Sequence, residues 1–223
     1  MYWSDEGYLL DKNNFNENSI IIQTFTLNHG KYSGVVYGGS SRKVKKNFQI
    51  GNKISLNWRA KSENKIGYFN VELIKPVSPL FFDDKKRAIC ILAASSILKI
   101  LLPERQINKK IFYSFDNFIN NLSDKNWAKL YILWELSLIK ELGFEISIPK
   151  NTNLPNAYEK SIEINGKFFK IPKILLNEDL KNNSFLDISE ALSFNKNLII
   201  ENFLNSNTIK FPLSRNILEK YFN

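Results

Sequence analysis

The stretch YGGSSRKVKKN, residues 37–47, sets Arg42, Lys43, Lys45 and Lys46 within five positions, directly after Gly38-Gly39 and two serines, with no acid inside it. Like charges at that spacing repel one another, so either water or a bound anion must neutralise them. The chemistry open to such a loop is electrostatic: it can hold phosphates. The clustering extends beyond the loop. Between residues 31 and 65, Lys31, Arg42, Lys43, Lys45, Lys46, Lys53, Arg59, Lys61 and Lys65 face one acid, Glu63. Nine minus one is +8, against a formal net charge of +9 for the whole chain of 223 residues. The total alone says little, because lysine outnumbers arginine 26 to 5 and Asn and Ile are also abundant, a bias that raises positive charge everywhere. The clustering is what argues for a polyanion, with a solvated turn as the bland alternative. Each phosphate neutralised by such a groove releases counterions, which drives binding and makes it salt-sensitive. Aromatic rings among the cations add base stacking. Tyr32, Tyr37, Phe48 and Trp58 are candidates, and Tyr37, beside the glycines, is the one expected to be exposed.

Catalytic chemistry has little to work with. The single histidine, His29, precedes Gly30 in a turn and reads as a surface residue, and the single cysteine, Cys90, sits in the apolar run RAICILAASS as a small buried hydrophobe. No second His or Cys exists to complete a nucleophile–base pair or a thiolate–imidazole zinc site. Neither G-x-G-x-x-G nor a phosphate-cradling P-loop is present, and the 22 acids are scattered. The sequence therefore gives no catalytic residue, no metal and no cofactor.

The elements that must position the cations are strands. GYLL, SIIIQTFT, YSGVVYGG, KISLNWRAK and IGYFNVELIKP are short runs rich in Ile, Val, Phe, Tyr and Thr, separated at Asn13-Asn14, His29-Gly30, Gly51-Asn52 and Glu63-Asn64. Alternation in NKISLNWRAK turns Ile54, Leu56 and Trp58 to one side and Lys53, Ser55, Asn57 and Arg59 to the other. Five strands in about 75 residues suit a small barrel of the OB type. At KPVSPLFFDDKK the texture changes: Pro76 and Pro79 interrupt pairing and Asp83-Asp84 can cap a helix. A domain boundary is placed at 80/81. The expected fold is thus α+β, an N-terminal five-stranded OB-type barrel (1–80) followed by a mostly α-helical domain (81–223). Helices are expected over the run from Lys85 to Pro103, over INKKIFYSFDNFINNL, and over SDKNWAKLYILWELSLIKELG with Ser123 or Asp124 as cap and Gly143 as stop. A loop-rich stretch from 144 to 183 contains KSIEINGKFFKIP, a hairpin turning at Asn165-Gly166, and DISEALSF, KNLIIENFLNS and SRNILEKYF close the chain as helices. No run of about 18 apolar residues occurs, and acids stand in MYWSDEGYLL where a secretory signal needs basic and apolar regions, so a cytoplasmic protein without membrane contact is expected.

WSDEGYLL, YSGVVYGGSSRK, LLPER, WELSLIKELGF and PLSRNIL, in this order over nearly the whole chain, resemble the RecO family of bacterial recombination mediators. The resemblance implies an OB barrel followed by a helical domain, binding of single- and double-stranded DNA, strand annealing, and work with RecR to help RecA replace single-stranded DNA-binding protein (SSB), whose acidic C-terminal tail is contacted by the helical domain. Carried over by position, Arg42, Lys43, Lys45 and Lys46 match the family's basic loop, and Arg215 matches the basic residue of its late L-x-S-R motif, where it would anchor an acidic tail. One departure stands out. Many members carry a four-cysteine zinc module after ELGF, and EISIPKNTNLPNAYEKSIEING contains no cysteine. Packing of Ile146, Ile148, Leu154, Phe168 and Phe169 would have to hold that segment instead.

The DNA-binding surface is accordingly expected at Lys31, Tyr37, Arg42, Lys43, Lys45, Lys46, Lys53, Arg59 and Lys61, with Arg215 as the partner-binding residue and no enzyme activity. Two rivals remain at this level: an RNA-binding OB protein, and a helical interaction module whose positive charge is incidental.

Overall fold

The computed structural model describes residues 1–42, 44–62, 66–144, 161–176, 184–204 and 209–223. Strands β1 (Tyr2–Asn16), β2 (Ser19–Thr26), β3 (Gly30–Tyr37), β4 (Lys53–Arg59) and β5 (Gly67–Lys75) close into a barrel in the order β1-β2-β3-β5-β4. This is the OB-type barrel read from the strand count. Strand β1 is far longer than the GYLL run because it serves two neighbours. Tyr2–Tyr8 pair with β4, and Gly7–Asn16 pair with β2 past an irregularity between Leu9 and Asp11. One curved strand can thus join both edges of the sheet and leave no open edge there. The alternation of β4 holds: Ile54, Leu56 and Trp58 are buried with Leu9, Ile22, Val36 and Phe69, while Arg59 is exposed.

Helix α1 (Lys85–Leu101) starts where the Asp84 carboxylate accepts from the Arg87 N–H at 3.0 Å. It is apolar on most sides, with Cys90, Ile91, Ala94, Ile97 and Leu98 buried, and it packs on β1. Helix α2 (Lys109–Asn120) belongs, all but its last residue, to the same unit, which runs from Met1 to Ile119. Its Phe112 and Phe115 rings lie 5.8 and 4.9 Å from the Tyr8 ring. The Tyr8 hydroxyl and the Lys53 ammonium both donate to Asp116, at 2.6 and 2.9 Å.

The second unit runs from Asn120 to Asn223. Helix α3 (Trp127–Glu141) ends as expected at Gly143, but neither Ser123 nor Asp124 caps it. Asn126 holds the cap position, and the Asp124 carboxylate accepts from the Asn126 N–H at 2.6 Å, the local two-residue bond that makes Asp a turn residue. Strands β6 (Ser161–Ile164) and β7 (Lys167–Lys170) form the hairpin, with Asn165 and Gly166 both at positive φ. A short helix α4 (Lys173–Leu176) follows in the stretch read as loop. DISEALSF and KNLIIENF join in one helix, α5 (Phe185–Ile199), which opens on a Ser184–Asp187 capping box and runs on through a π-helical turn to Leu204. Helix α6 (Leu213–Lys220) closes the unit. Ile146, Ile148 and Leu154 lie outside the described residues, and Phe168 is 65% exposed, so packing by Phe168 does not hold that region. None of the described helices is long and apolar enough to cross a membrane.

Candidate nucleic-acid interface

The basic loop begins where β3 ends. Gly38 turns the chain at φ +71° in open space, a conformation that a Cβ disfavours. Gly39 lies so close to β2 that a Cβ would stand 2.7 Å from Ile20 Cγ1. The Ser40 hydroxyl then donates to the Glu17 carbonyl at 2.8 Å, and the Lys45 N–H donates to the Ser41 carbonyl at 2.9 Å. A 3-10 turn covers Lys45–Asn47. Val44 packs against the barrel core and Phe48 is buried within it, so apolar side chains pin the loop from inside. The charged ones are left outside: Arg42, Lys45 and Lys46 are exposed. Lys43 lies outside the described residues.

Arg59, at the end of β4, and Lys61 are exposed as well. Among the described residues, none of Arg42, Lys45, Lys46, Arg59 and Lys61 forms an ion pair. The guanidinium of Arg59 instead lies 5.0 Å from the Tyr2 ring centre. Tyr37 is 70% exposed, whereas Phe48 and Trp58 are core residues and Tyr32 is half-buried against Trp3 and Trp58.

Three of the expected cations stand elsewhere. Lys31 is only 7% exposed; its ammonium donates to the Lys99 carbonyl at 2.8 Å and lies 3.5 Å from Glu104. Burial lowers its pKa, and Glu104 offsets that only in part. Lys53 is held by Asp116 and by Glu6 at 3.3 Å, and although burial opposes it these carboxylates raise its pKa. Arg215 is fully buried. Its Nε and Nη2 donate to the two oxygens of Glu135 at 2.6 and 3.0 Å, and Nη2 also donates to the Leu192 carbonyl at 2.7 Å. Tyr131 and Asn195 donate to the same carboxylate. A guanidinium so enclosed has no face left for an acidic tail, and the reason is local: α6 turns Arg215 inward together with Leu218.

The structure adds groups that the sequence pattern did not single out. Lys12, on β1, lies outside the basic window. Together with Asn13, Asn14, Ser40 and Lys45 it lines a cavity of about 270 Å³ beside the loop. Its pKa is lowered by burial first and then by the charge of Lys45. The Lys12 ammonium itself donates to the Phe48 carbonyl. Tyr2 and Tyr68 are also exposed on the barrel surface, and the alternation of YFNVELIK, with Tyr68 opposite in direction to Phe69, carried that signal. His29 is more than a surface turn residue: it hydrogen-bonds Asp5 at 2.8 Å and its ring stacks on Trp3 at 4.0 Å. Among the described residues no group of three or more His, Cys, Asp or Glu side chains is placed to hold a metal ion.

Comparison with known proteins agrees with the barrel-then-helices arrangement. The family model "Recombination protein O N terminal" matches residues 1–77, and "Recombination protein O C terminal" matches residues 83–192. Among curated proteins, the chain is 32% identical over 149 residues to a DNA repair protein RecO of Roseobacter denitrificans, covering 66% of this chain and 62% of the relative. It is 34% identical over 152 residues to the protein of that name from a Wolbachia of Drosophila simulans, covering 67% and 62%. A Cereibacter sphaeroides relative of the same name is 33% identical over 150 residues, covering 67% and 62%. The matched part thus spans less than two thirds of these relatives.

Proposed function

Because this chain belongs to the recombination protein O family, we propose that it is a non-catalytic, DNA-binding protein of recombinational repair. In this reading residues 1–80 are the nucleic-acid-binding module and residues 81–223 the helical one. The observation that carries it is the set of exposed cations, Arg42, Lys45, Lys46, Arg59 and Lys61, with no carboxylate paired to any of them among the described residues. Phosphates replace the missing partners. Lys12 and Lys45 supply a further seat for one phosphate group beside the loop. Such contacts carry no base sequence, so binding is general. Annealing follows from the same physics: two neutralised backbones repel each other less, and base pairing then joins them. The family resemblance supplies the partners of this reading, RecR, the SSB tail and through them RecA. The tail contact is not assigned to Arg215, whose charge is met inside the protein.

The test is fluorescence anisotropy of a labelled oligothymidylate over a salt series, followed by annealing of SSB-coated complementary strands. With roughly five phosphate contacts on a single strand, the log–log salt slope is expected near about −3.5. A flat slope would overturn the electrostatic reading, and tighter binding of a structured RNA at equal salt would redirect it to RNA.

A further inference from the structure

Strands β1, β4, β5 and β3 lie side by side in that order, and across them three exposed side chains form a row that a fourth extends on the diagonal. Tyr2 is paired with Arg59 and Arg59 with Tyr68, so all three stand on one face of the sheet. Tyr68 is paired in turn with Val35 on the parallel strand β3, so Tyr37, two residues on and on the same side, stands level with Asn70 and meets Tyr68 on the diagonal. The contacts agree with this register: the Arg59 guanidinium lies 5.0 Å from the Tyr2 ring centre, and the Tyr68 and Tyr37 rings are 6.0 Å apart. Their chain neighbours Trp3, Trp58, Phe69 and Val36 pack in or against the core, so the period of two forces the row outward. Tyr2, Tyr68 and Tyr37 are 58%, 42% and 70% exposed. The Tyr2 hydroxyl donates to Asn57 Oδ1 at 3.1 Å and lies 2.9 Å from the Ser4 hydroxyl, which fixes the ring's direction.

We propose that Tyr2, Arg59, Tyr68 and Tyr37 are a stacking platform for the unpaired bases of a single nucleic-acid strand whose phosphates the neighbouring cations hold. The proposal rests on the phosphate-binding reading above and adds to it the side chains that receive the bases. Unpaired bases present π-faces that a duplex keeps within its own stack, and rings or a guanidinium plane receive them without regard to sequence. Charge selects this occupant. The row meets the basic loop at Tyr37, and Lys61 lies two residues past Arg59. On the same face Ser4, Asn57 and Asn70 come next, level with Tyr37, and then Glu6 and Glu72 either side of Ser55. Glu6 is met by Lys53, and Glu72 is left to repel phosphate and bound the platform on that side. Three inter-strand gaps and the two-residue offset of Tyr37 make the platform about 16 Å long, room for about four bases at a stacked rise of about 3.4 Å.

The experiment compares an oligothymidylate with an abasic oligomer of equal length and charge, on wild type and on the full chain carrying Tyr2→Leu, Tyr37→Leu and Tyr68→Leu. The wild type is expected to prefer bases over the abasic strand. The triple variant is expected to keep only the small preference that Arg59 supplies, about tenfold weaker per ring lost on the base-bearing strand, with duplex affinity and salt slope unchanged. The three Tyr→Phe changes keep the rings and are expected to keep the preference, which separates stacking from any effect on folding. Equal binding of both oligomers by wild type, with a steep salt slope, would overturn the platform and leave the phosphate reading standing. So would a triple variant with undiminished preference, the result expected if the row serves a protein partner. Failure of wild type to bind either oligomer would overturn the phosphate reading itself, and the platform with it.

Discussion

Arg59 and Arg215 each lie over a tyrosine ring, at 5.0 Å from Tyr2 and 5.7 Å from Tyr131, and differ in everything else. Arg215, in the helical unit, is enclosed and its charge is met by Glu135, with Glu219 at 3.8 Å. Arg59, on the barrel, stands in water with no carboxylate paired to it among the described residues. Positive charge therefore has two meanings in one chain. Where a carboxylate answers it, it is architecture; where none does, it is an offer to an anion. The accounting of partners, not the count of lysines, separates the two.

The largest effect that can break this comparison is on stability. Arg215→Ala leaves the buried Glu135 uncompensated and is expected to cost about 3–5 kcal/mol. Arg59→Ala is expected to change stability by less than about 0.5 kcal/mol. Urea unfolding of the two variants measures both. An Arg215 variant as stable as wild type would show that the enclosed pair is not holding α3 and α6 together. The reverse contrast is expected in binding. Arg42→Glu with Lys45→Glu and Lys46→Glu removes three of the five proposed phosphate contacts, so the salt slope should fall from about −3.5 to about −1.4 with no change in unfolding midpoint. A triple variant that binds with the parental slope would sink the loop assignment.

A smaller, pH-linked effect tests the barrel cation that proved to be architecture. Burial pushes the Asp116 carboxyl up, but hydrogen bonds from Lys53 and Tyr8 outweigh it and the pKa is lowered. A folded pKa below the unfolded one means that this stability is present above about pH 4 and is lost as pH falls through the folded value. Asp116→Asn should therefore narrow the difference between the urea midpoints at pH 7 and pH 3. An unchanged difference would detach Asp116, and with it Lys53, from the acid stability of the barrel.

The barrel was legible because period-two patterning reports burial directly: the Ile54-Leu56-Trp58 alternation and the break at Pro76 both carried into the structure. The exposed cations of the loop were legible from their clustering, and the structure shows what holds them out: Val44 and Phe48, the only large apolar residues between Gly39 and Ile50, turn inward. Lys31, Lys53 and Arg215 were not legible as internal groups. Their partners Glu104, Asp116 and Glu135 lie 73, 63 and 80 residues away in sequence, and no local pattern announces a pairing of that range. Lys12 escaped for a related reason, because it reaches the loop through the fold and not through the chain.

The smallest expected effect sharpens the comparison from the aromatic side. Phe168 is as exposed as the tyrosines of the barrel row, at 65%, but it stands on a hairpin and not in a row of rings. The hairpin is held by polar contacts, with Asn165 donating to the Glu201 carbonyl at 3.0 Å and Lys167 paired with the Glu201 carboxylate at 2.6 Å. Phe168→Ala should then change stability by less than about 0.5 kcal/mol and leave single-strand affinity unaltered, whereas truncating the buried Ile174 nearby should cost about 2–5 kcal/mol. Unfolding and anisotropy on the two variants check this. If Phe168→Ala instead weakens single-strand binding as the barrel tyrosines are expected to, exposure of an aromatic ring alone would be enough to attract bases, and the ordered row would lose its distinction.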